Sequence, residues 1–224
     1  MREAVIVSTA RTPIGKAFRG AFNDTQAQEM AGHAIAEAVK RSKVSKEEID
    51  DVIIGAAGQQ GSQQGNIARQ SLLRAGLPVS VAGMSLDRQC ASGMMAIATA
   101  AKEITEDGMT ITVGGGVESV SLVRNENFRM DRARDPWLEE NIPSLYMTMI
   151  ETAENVAKRY GISRESQDEY SLQSQMRTAK AQQNGYMDKE IVPLKSTMKY
   201  KDKETGEISS HDVCIEKDEG NRPS

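Results

Sequence analysis

Cys90 is the residue in this chain best placed to act as a nucleophile. Residues 81–86 (VAGMSL) read as a short buried strand, and Asp87, Arg88 and Gln89 read as a polar turn. Cys90, Ala91, Ser92 and Gly93 then lead into the apolar stretch 94–104, which carries Lys102 and Glu103 only at its far end. A stretch apolar on nearly every face is expected to be a helix buried inside a domain. Cys90 therefore stands at a strand-to-helix junction. Unpaired N–H groups and the positive end of the helix dipole favour a thiolate there, and a thiolate can take up an acyl group. The alternative is a small buried core thiol. The preceding strand, the polar turn and Gly93 favour the nucleophile.

Other residues with chemical potential read more plainly. The triple glycine Gly114, Gly115 and Gly116 lacks both the GxGxxG spacing and a clear following helix, so it is no dinucleotide motif. It reads instead as the end of a strand where the backbone passes close to other elements. His33 lies on an alanine-rich helix and His211 in a charged hairpin, neither with a metal-ligand partner at suitable spacing. No metal site is expected. Cys90 and Cys214 are the two cysteines. They make no disulfide framework, which points to an intracellular, cytoplasmic setting. The N-terminus has no signal-peptide core, and no apolar run reaches membrane-spanning length, so no membrane is expected. A net charge of −4 argues against nucleic acid as a partner.

The elements that must hold these residues alternate. Residues 4–8 (AVIVS) read as a strand, 11–24 as a glycine-punctuated loop, and 26–41 as a helix capped by Asp24 or Thr25. The helix carries Ala27, Met30, Ala31, Ala34, Ile35, Ala38 and Val39 on one face. A second strand follows at 52–57 and a polar loop at 58–65 (GQQGSQQG). A helix at 66–75 is stopped by Gly76 and Pro78. After the Cys90 helix comes a strand at 109–113, ended by the triple glycine. Strands separated by helices imply a mainly parallel sheet with helices on both faces, a layered α/β/α core.

Beyond Ser119 the chain becomes more polar. The segment 121–143 reads as a charged loop, 151–160 and 163–183 as helices with Ser163 as N-cap of the second, and 191–194 as a short strand. A hairpin at 198–215 turns at Glu204, Thr205 and Gly206. The expected division is a core over 1–118 and an α+β excursion over 119–224. A hydrophobic fraction of 38% suffices for a core, while a mean hydropathy of −0.51 reflects the polar second half.

Six segments in order resemble the thiolases, the acetyl-CoA acyltransferases. They are VIVSTARTPIGKAFRGAF from Val5, QGNIARQSLLRAGLP from Gln64 and DRQCASGMM from Asp87. GGGVESVS from Gly114, MIETAENVAKRYGISRESQDEYSLQSQ from Met149 and DEGNRP from Asp218 complete the series. The RTPIG run at Arg11 and the TAEN run at Thr152 favour this family over ketoacyl synthases, which place a nucleophile similarly on a related fold.

The resemblance implies that Cys90 exchanges acyl groups between CoA thioesters in fatty-acid or acetoacetyl-CoA metabolism. CoA thioesters are then substrates, and no cofactor is expected. It also implies that 119–224 is a loop domain covering the substrate. Met149 would line the acyl and pantetheine pocket, although Thr148 stands where many thiolases have histidine. Arg222 would contact the CoA adenine nucleotide, since a guanidinium can stack on a base and face phosphate. An acidic chain needs such local cations; Arg129, Arg132, Arg134, Lys199, Lys201 and Lys203 are others.

In the family, the activating histidine, a second cysteine and an asparagine-held water come from a C-terminal half. Neither His33, His211 nor Cys214 matches those roles. The chain thus resembles the N-terminal half of a homodimeric or homotetrameric enzyme, in a truncated, proteolysed or split form and inactive alone, with the C-terminal half as partner. A non-catalytic acyl-CoA-binding or assembly module is the alternative.

Overall fold

The computed structural model describes residues 2–222. They form two compact units: 2–128 with 187–220, and 129–186 with 221–222. Packing thus groups the late hairpin with the first 128 residues, although composition changes near Ser119.

The first unit begins with helix α1 (Ala27–Ser42), then strand β1 (Asp51–Gly55), helix α2 (Ile67–Arg74), strand β2 (Ala82–Leu86), helix α3 (Ser92–Thr105) and strand β3 (Thr112–Gly116). The three strands make a parallel sheet in the order β2-β1-β3. Asp51 pairs with Ala82 on one side and Thr112 on the other, and Gly55 pairs with Leu86 and Gly116. β1 is central, so its Val52, Ile53 and Ile54 are all buried. Alternation sends Val52 and Ile54 to one face, against Ala27, Ile35 and Val39 of α1 and Ile67, Ala68 and Leu72 of α2. Ile53 points to the other face, against Ala96 and Ala100 of α3. Helices cover both faces, which explains why β1 reads as a continuous apolar run. The expected α/β/α layering is present.

A short helix α4 (Val120–Val123) follows β3. The second unit holds α5 (Pro136–Asn141), α6 (Met149–Tyr160) and α7 (Arg164–Gln183). Their starts are chemically specified. The Asp135 carboxylate accepts the Leu138 N–H at 3.0 Å, Thr148 and Glu151 form a capping box, and Ser163 accepts the Ser166 N–H. The first unit then closes with the antiparallel hairpin β4 (Leu194–Lys201) and β5 (Ile208–Ile215). Gly206 supplies a left-handed turn at φ 73°. Leu194, Val213 and Ile215 pack on Ala21, Phe22 and Met30.

Several expectations need correction. Residues 4–8 form no strand; Val5, Ile6 and Val7 are all exposed. Strand propensity alone does not offset the entropy of ordering when no face is buried. Neither Asp24 nor Thr25 caps α1. Its N-cap is Gln26, without a side-chain bond, because Asp24 pairs with Lys199 at 3.0 Å and Thr25 bonds Ser196 at 2.6 Å. The strand read at 109–113 runs instead over Thr112–Gly116, so the triple glycine is its end, as read, while 109–111 lie before it. No separate strand occupies 191–194; Ile191 makes an isolated bridge with Arg11, and Leu194 opens β4. Finally, α3 is buried on one face only: Met94 and Ile97 are 77% and 46% exposed.

Candidate active-site cysteine

Cys90 sits in a five-residue turn between β2 and α3, and the turn is held by its own polar groups. Asp87 Oδ1 accepts the Gln89 N–H at 2.7 Å, and Gln89 adopts a left-handed φ of 50°. The Ala91 and Ser92 N–H groups donate to the carbonyls of Arg88 and Gln89 at 3.1 and 3.0 Å. The Ser92 hydroxyl accepts the Arg88 N–H at 2.8 Å and donates to the Gln89 carbonyl at 2.6 Å. Ser92 is itself buried, so the turn is pinned from below while Cys90 is exposed above it. Ala91 is the N-cap of α3 and offers no side-chain acceptor to the helix N–H groups. The thiol therefore stands beside a helix start that has no side-chain cap.

Glycine sets the height of that helix start. A Cβ on Gly55 would lie 2.1 Å from the Ser92 carbonyl carbon, and one on Gly116 would lie 2.8 Å from the Gly93 Cα. A Cβ on Gly114 would meet Ile97 Cα at 2.8 Å. Gly55 and Gly116 end β1 and β3, so α3 rests directly on the carboxyl ends of two parallel strands. That end of such a sheet is where ligands bind in open α/β folds. The close-approach reading of the triple glycine holds; the equally tight position of Gly55 was not anticipated.

Sequence reasoning also missed Gln63. Within the polar loop 58–65 it is completely buried. Its amide donates to the Gly58 carbonyl at 2.8 Å and Glu118 Oε1 at 2.9 Å, and its oxygen accepts the Ser119 N–H. Glu118 Oε2 also accepts the Ala57 N–H at 2.9 Å. This clasp ties the loop after β1 to the exit of β3, and it shows what Glu118 and Ser119 do structurally. Nothing in a run of glutamines distinguishes the buried one.

Met149 and Arg222 belong to the second unit. Met149 is the first residue of α6 and is 80% exposed. Thr148 before it is the N-cap, a role histidine fills poorly. Arg222 is exposed, and its segment is docked on α7: its N–H donates to Gln175 Oε1 at 2.7 Å, and Asn221 Nδ2 donates to the Gln175 carbonyl at 2.9 Å. Of the other late cations, Arg129 pairs with Asp131, Arg134 with Glu139 and Lys199 with Asp24.

His33 Nε2 lies 3.0 Å from the Pro193 carbonyl, and His211 Nε2 lies 3.0 Å from Ser209 Oγ. Among the described residues no cluster of His, Cys, Asp or Glu could hold a metal. No described helix is long and apolar enough to cross a membrane. Cys214 is free and exposed in β5 opposite Lys195.

Comparison with known proteins agrees with this architecture. Residues 4–224 match the family described as thiolase, N-terminal domain. The chain is 40% identical over 200 residues to a 3-ketoacyl-CoA thiolase of Bacillus subtilis, covering 88% of this chain and 50% of that protein. It is 39% identical to an acetyl-CoA acetyltransferase of Cupriavidus necator, with 87% and 51% covered. The crystal structure of the Bacillus anthracis acetyl-CoA acetyltransferase superposes with a TM-score of 0.79 at 35% identity, covering 99% of this chain and 56% of that one. The chain thus spans about half the length of the curated relatives it matches.

Proposed function

The chain belongs to the thiolase family, and we propose that it supplies the acyl-accepting cysteine of an enzyme that exchanges acyl groups between CoA thioesters. One observation carries this reading: Cys90 is exposed in a pinned turn at the start of α3, at the carboxyl ends of β1 and β3. The Cys90 thiolate attacks the thioester carbonyl carbon. A new C–S bond forms to Cys90, the bond to CoA sulfur breaks, and CoA leaves as a thiolate that takes up a proton. The N–H of Cys90 itself is the group assigned to the thioester oxygen of the acyl-enzyme. The acyl group then passes to CoA, exchanging one thioester for another nearly isoenergetically, or to the α-carbon of a second thioester, which must first lose a proton to a base assigned to the second segment. Met149 and Arg222 are assigned to the pantetheine and nucleotide of CoA.

The proposal extends to partners. Neither His33, with its ring against the Pro193 carbonyl, nor His211, in the exposed hairpin, is a suitable base for Cys90. Turnover is therefore assigned to a complex with a second segment equivalent to the other half of the relatives. The assembly is proposed to be a cytoplasmic homodimer or homotetramer in fatty-acid or acetoacetyl-CoA metabolism, with loop 58–65 and α2 at the subunit contact.

Alkylation tests the nucleophile. Iodoacetamide at near-neutral pH should label Cys90 fast. Cys90→Ser should abolish the fast phase, and Cys214→Ser should leave most of it. A fast phase that stays with Cys214 would overturn the assignment. Retention of CoA by a chain whose Cys90 takes no acyl group would leave only the binding-module reading.

A further inference from the structure

The helix that carries Cys90 near one end carries a buried carboxylate near the other. Glu103, in the last turns of α3, is 8% exposed, and Asp51, the first residue of β1, is 9% exposed. Asp51 lies two residues before Ile53, on the face of β1 that meets Ala96 and Ala100 of α3. Its ladder partner Thr112 bonds the Ala100 carbonyl, and Glu103 is one turn beyond Ala100, so both carboxylates lie between the end of α3 and the start of β1. Glu103 Oε2 is buried and has no hydrogen-bond partner among the described residues. Asp51 Oδ1 accepts the N–H of Val52 at 2.6 Å.

The groups around the pair do little to neutralise it. Asp50, next to Asp51, adds negative charge, as does Asp107 beyond the end of α3. The Asp50 carboxylate is occupied by the N–H groups of Thr110 and Ile111, at 2.7 and 3.1 Å. Arg2 acts on Asp50, but its guanidinium donates to the Gly108 and Met109 carbonyls at 3.0 Å each. Lys102 and Glu106, beside Glu103 in sequence, are exposed. From β3, Thr112 faces α3 and donates its hydroxyl to the Ala100 carbonyl at 3.0 Å.

We propose that Asp51 and Glu103 hold one proton between them, and that this proton fastens the far end of the nucleophile-bearing helix to the sheet. Two neighbouring buried carboxylates cannot both ionise cheaply. A proton on either turns an acceptor into a donor and gives the unpartnered oxygen something to bond. The two groups then titrate as a pair. Burial raises the pKa of Glu103, helped by Asp51 and Asp107, and burial raises that of Asp51 against the opposing pull of the Val52 N–H, with help from Asp50. A folded-state pKa above the unfolded value gives stability that is fully present below the unfolded pKa. That stability is lost as pH rises through the folded pKa. This inference is independent of the chemistry at Cys90.

The test compares the parent chain with Glu103→Gln, which keeps the neutral shape permanently. The thermal midpoint of the variant relative to the parent should rise as pH climbs from the ordinary carboxylate range through the pair's own titration and level off above it. Amide exchange in the last turns of α3, corrected for intrinsic rates, should accelerate with pH in the parent and not in the variant. Asp51→Asn should behave alike. Should either variant fail to fold, carbon-13 titration of the parent's carboxyl groups reads the pair directly and should show one proton retained above the ordinary carboxylate range. A midpoint difference that is the same at every pH, or two carboxyls titrating normally, would overturn the proposal.

Discussion

The exposure of the Cys90 thiol depends on a hydroxyl two residues away. Ser92 both accepts from Arg88 and donates to Gln89, so it locks the turn whose outer face is the cysteine. Ser92→Ala removes both bonds from a buried position and should cost about 1–3 kcal/mol. Alkylation of Cys90 should slow while that of Cys214 does not change; equal slowing of both would signal a general loss of fold. A second residue-scale prediction concerns Arg11. Its guanidinium grips Asp218 through two bonds, at 2.7 and 2.9 Å, and Glu190 through a third at 2.8 Å. The bond to Arg11 holds the Asp218 carboxyl below the usual carboxylate range, with a further pull from the Ile14 N–H. A lowered folded-state pKa gives stability present above the unfolded value, about 4, and lost as pH falls through the folded one. Asp218→Asn should therefore destabilise at neutral pH by roughly 1–3 kcal/mol and make the acid limb of the stability curve shallower. Denaturant melts at several pH values would show it.

Some element ends were legible from their own chemistry, but not all. α5, capped by Asp135, lies in the segment 121–143 that reads as a charged loop, and the Thr148–Glu151 capping box starts α6 two residues before the helix read at 151. Asn66 before α2, whose side chain accepts the Arg69 N–H at 3.0 Å, and Ser163 before α7 are side-chain caps. Gly206 marks the β4–β5 turn by its left-handed backbone. What pattern could not show was which element lies against which. Residues 4–8 have strand composition but no partner ladder, and α3 is apolar all round yet buried on one side. The placement of Gly55 is of the same kind, because its constraint comes from a helix start 37 positions later. Gly55→Ala puts a methyl 2.1 Å from the Ser92 backbone, where only a shift of α3 can relieve it. Overpacking of this kind costs roughly 1–3 kcal/mol. We expect a lower melting temperature together with a changed rate of Cys90 alkylation. A melting temperature equal to the parent's would mean that the helix start does not rest on the strand ends as described.

At the scale of the whole molecule, the alternating βα order announced the layered core. The nucleophile segment stood out because strand, turn, cysteine and helix fall in one run. The structure adds the way glycines and Ser92 set that run on the strand ends. The proposed division of labour also makes a prediction at this scale. The isolated 224-residue chain should show little or no thiolase turnover, and adding a segment equivalent to the C-terminal half of its relatives should restore it. Turnover comparable to a full-length relative from the pure isolated chain would require a base in the described residues that we have not identified.

Whether Cys90 takes up the acyl group is read directly by mass spectrometry. The purified chain is mixed with acetyl-CoA, quenched in acid, weighed intact and then mapped by peptides. A single acetyl group is expected on the peptide that contains Cys90, absent from Cys90→Ser and unaffected by Cys214→Ser. Acetyl found on Cys214 instead, or no acetylation of Cys90 even with a segment equivalent to the C-terminal half of the relatives present, would rule out Cys90 as the acyl acceptor.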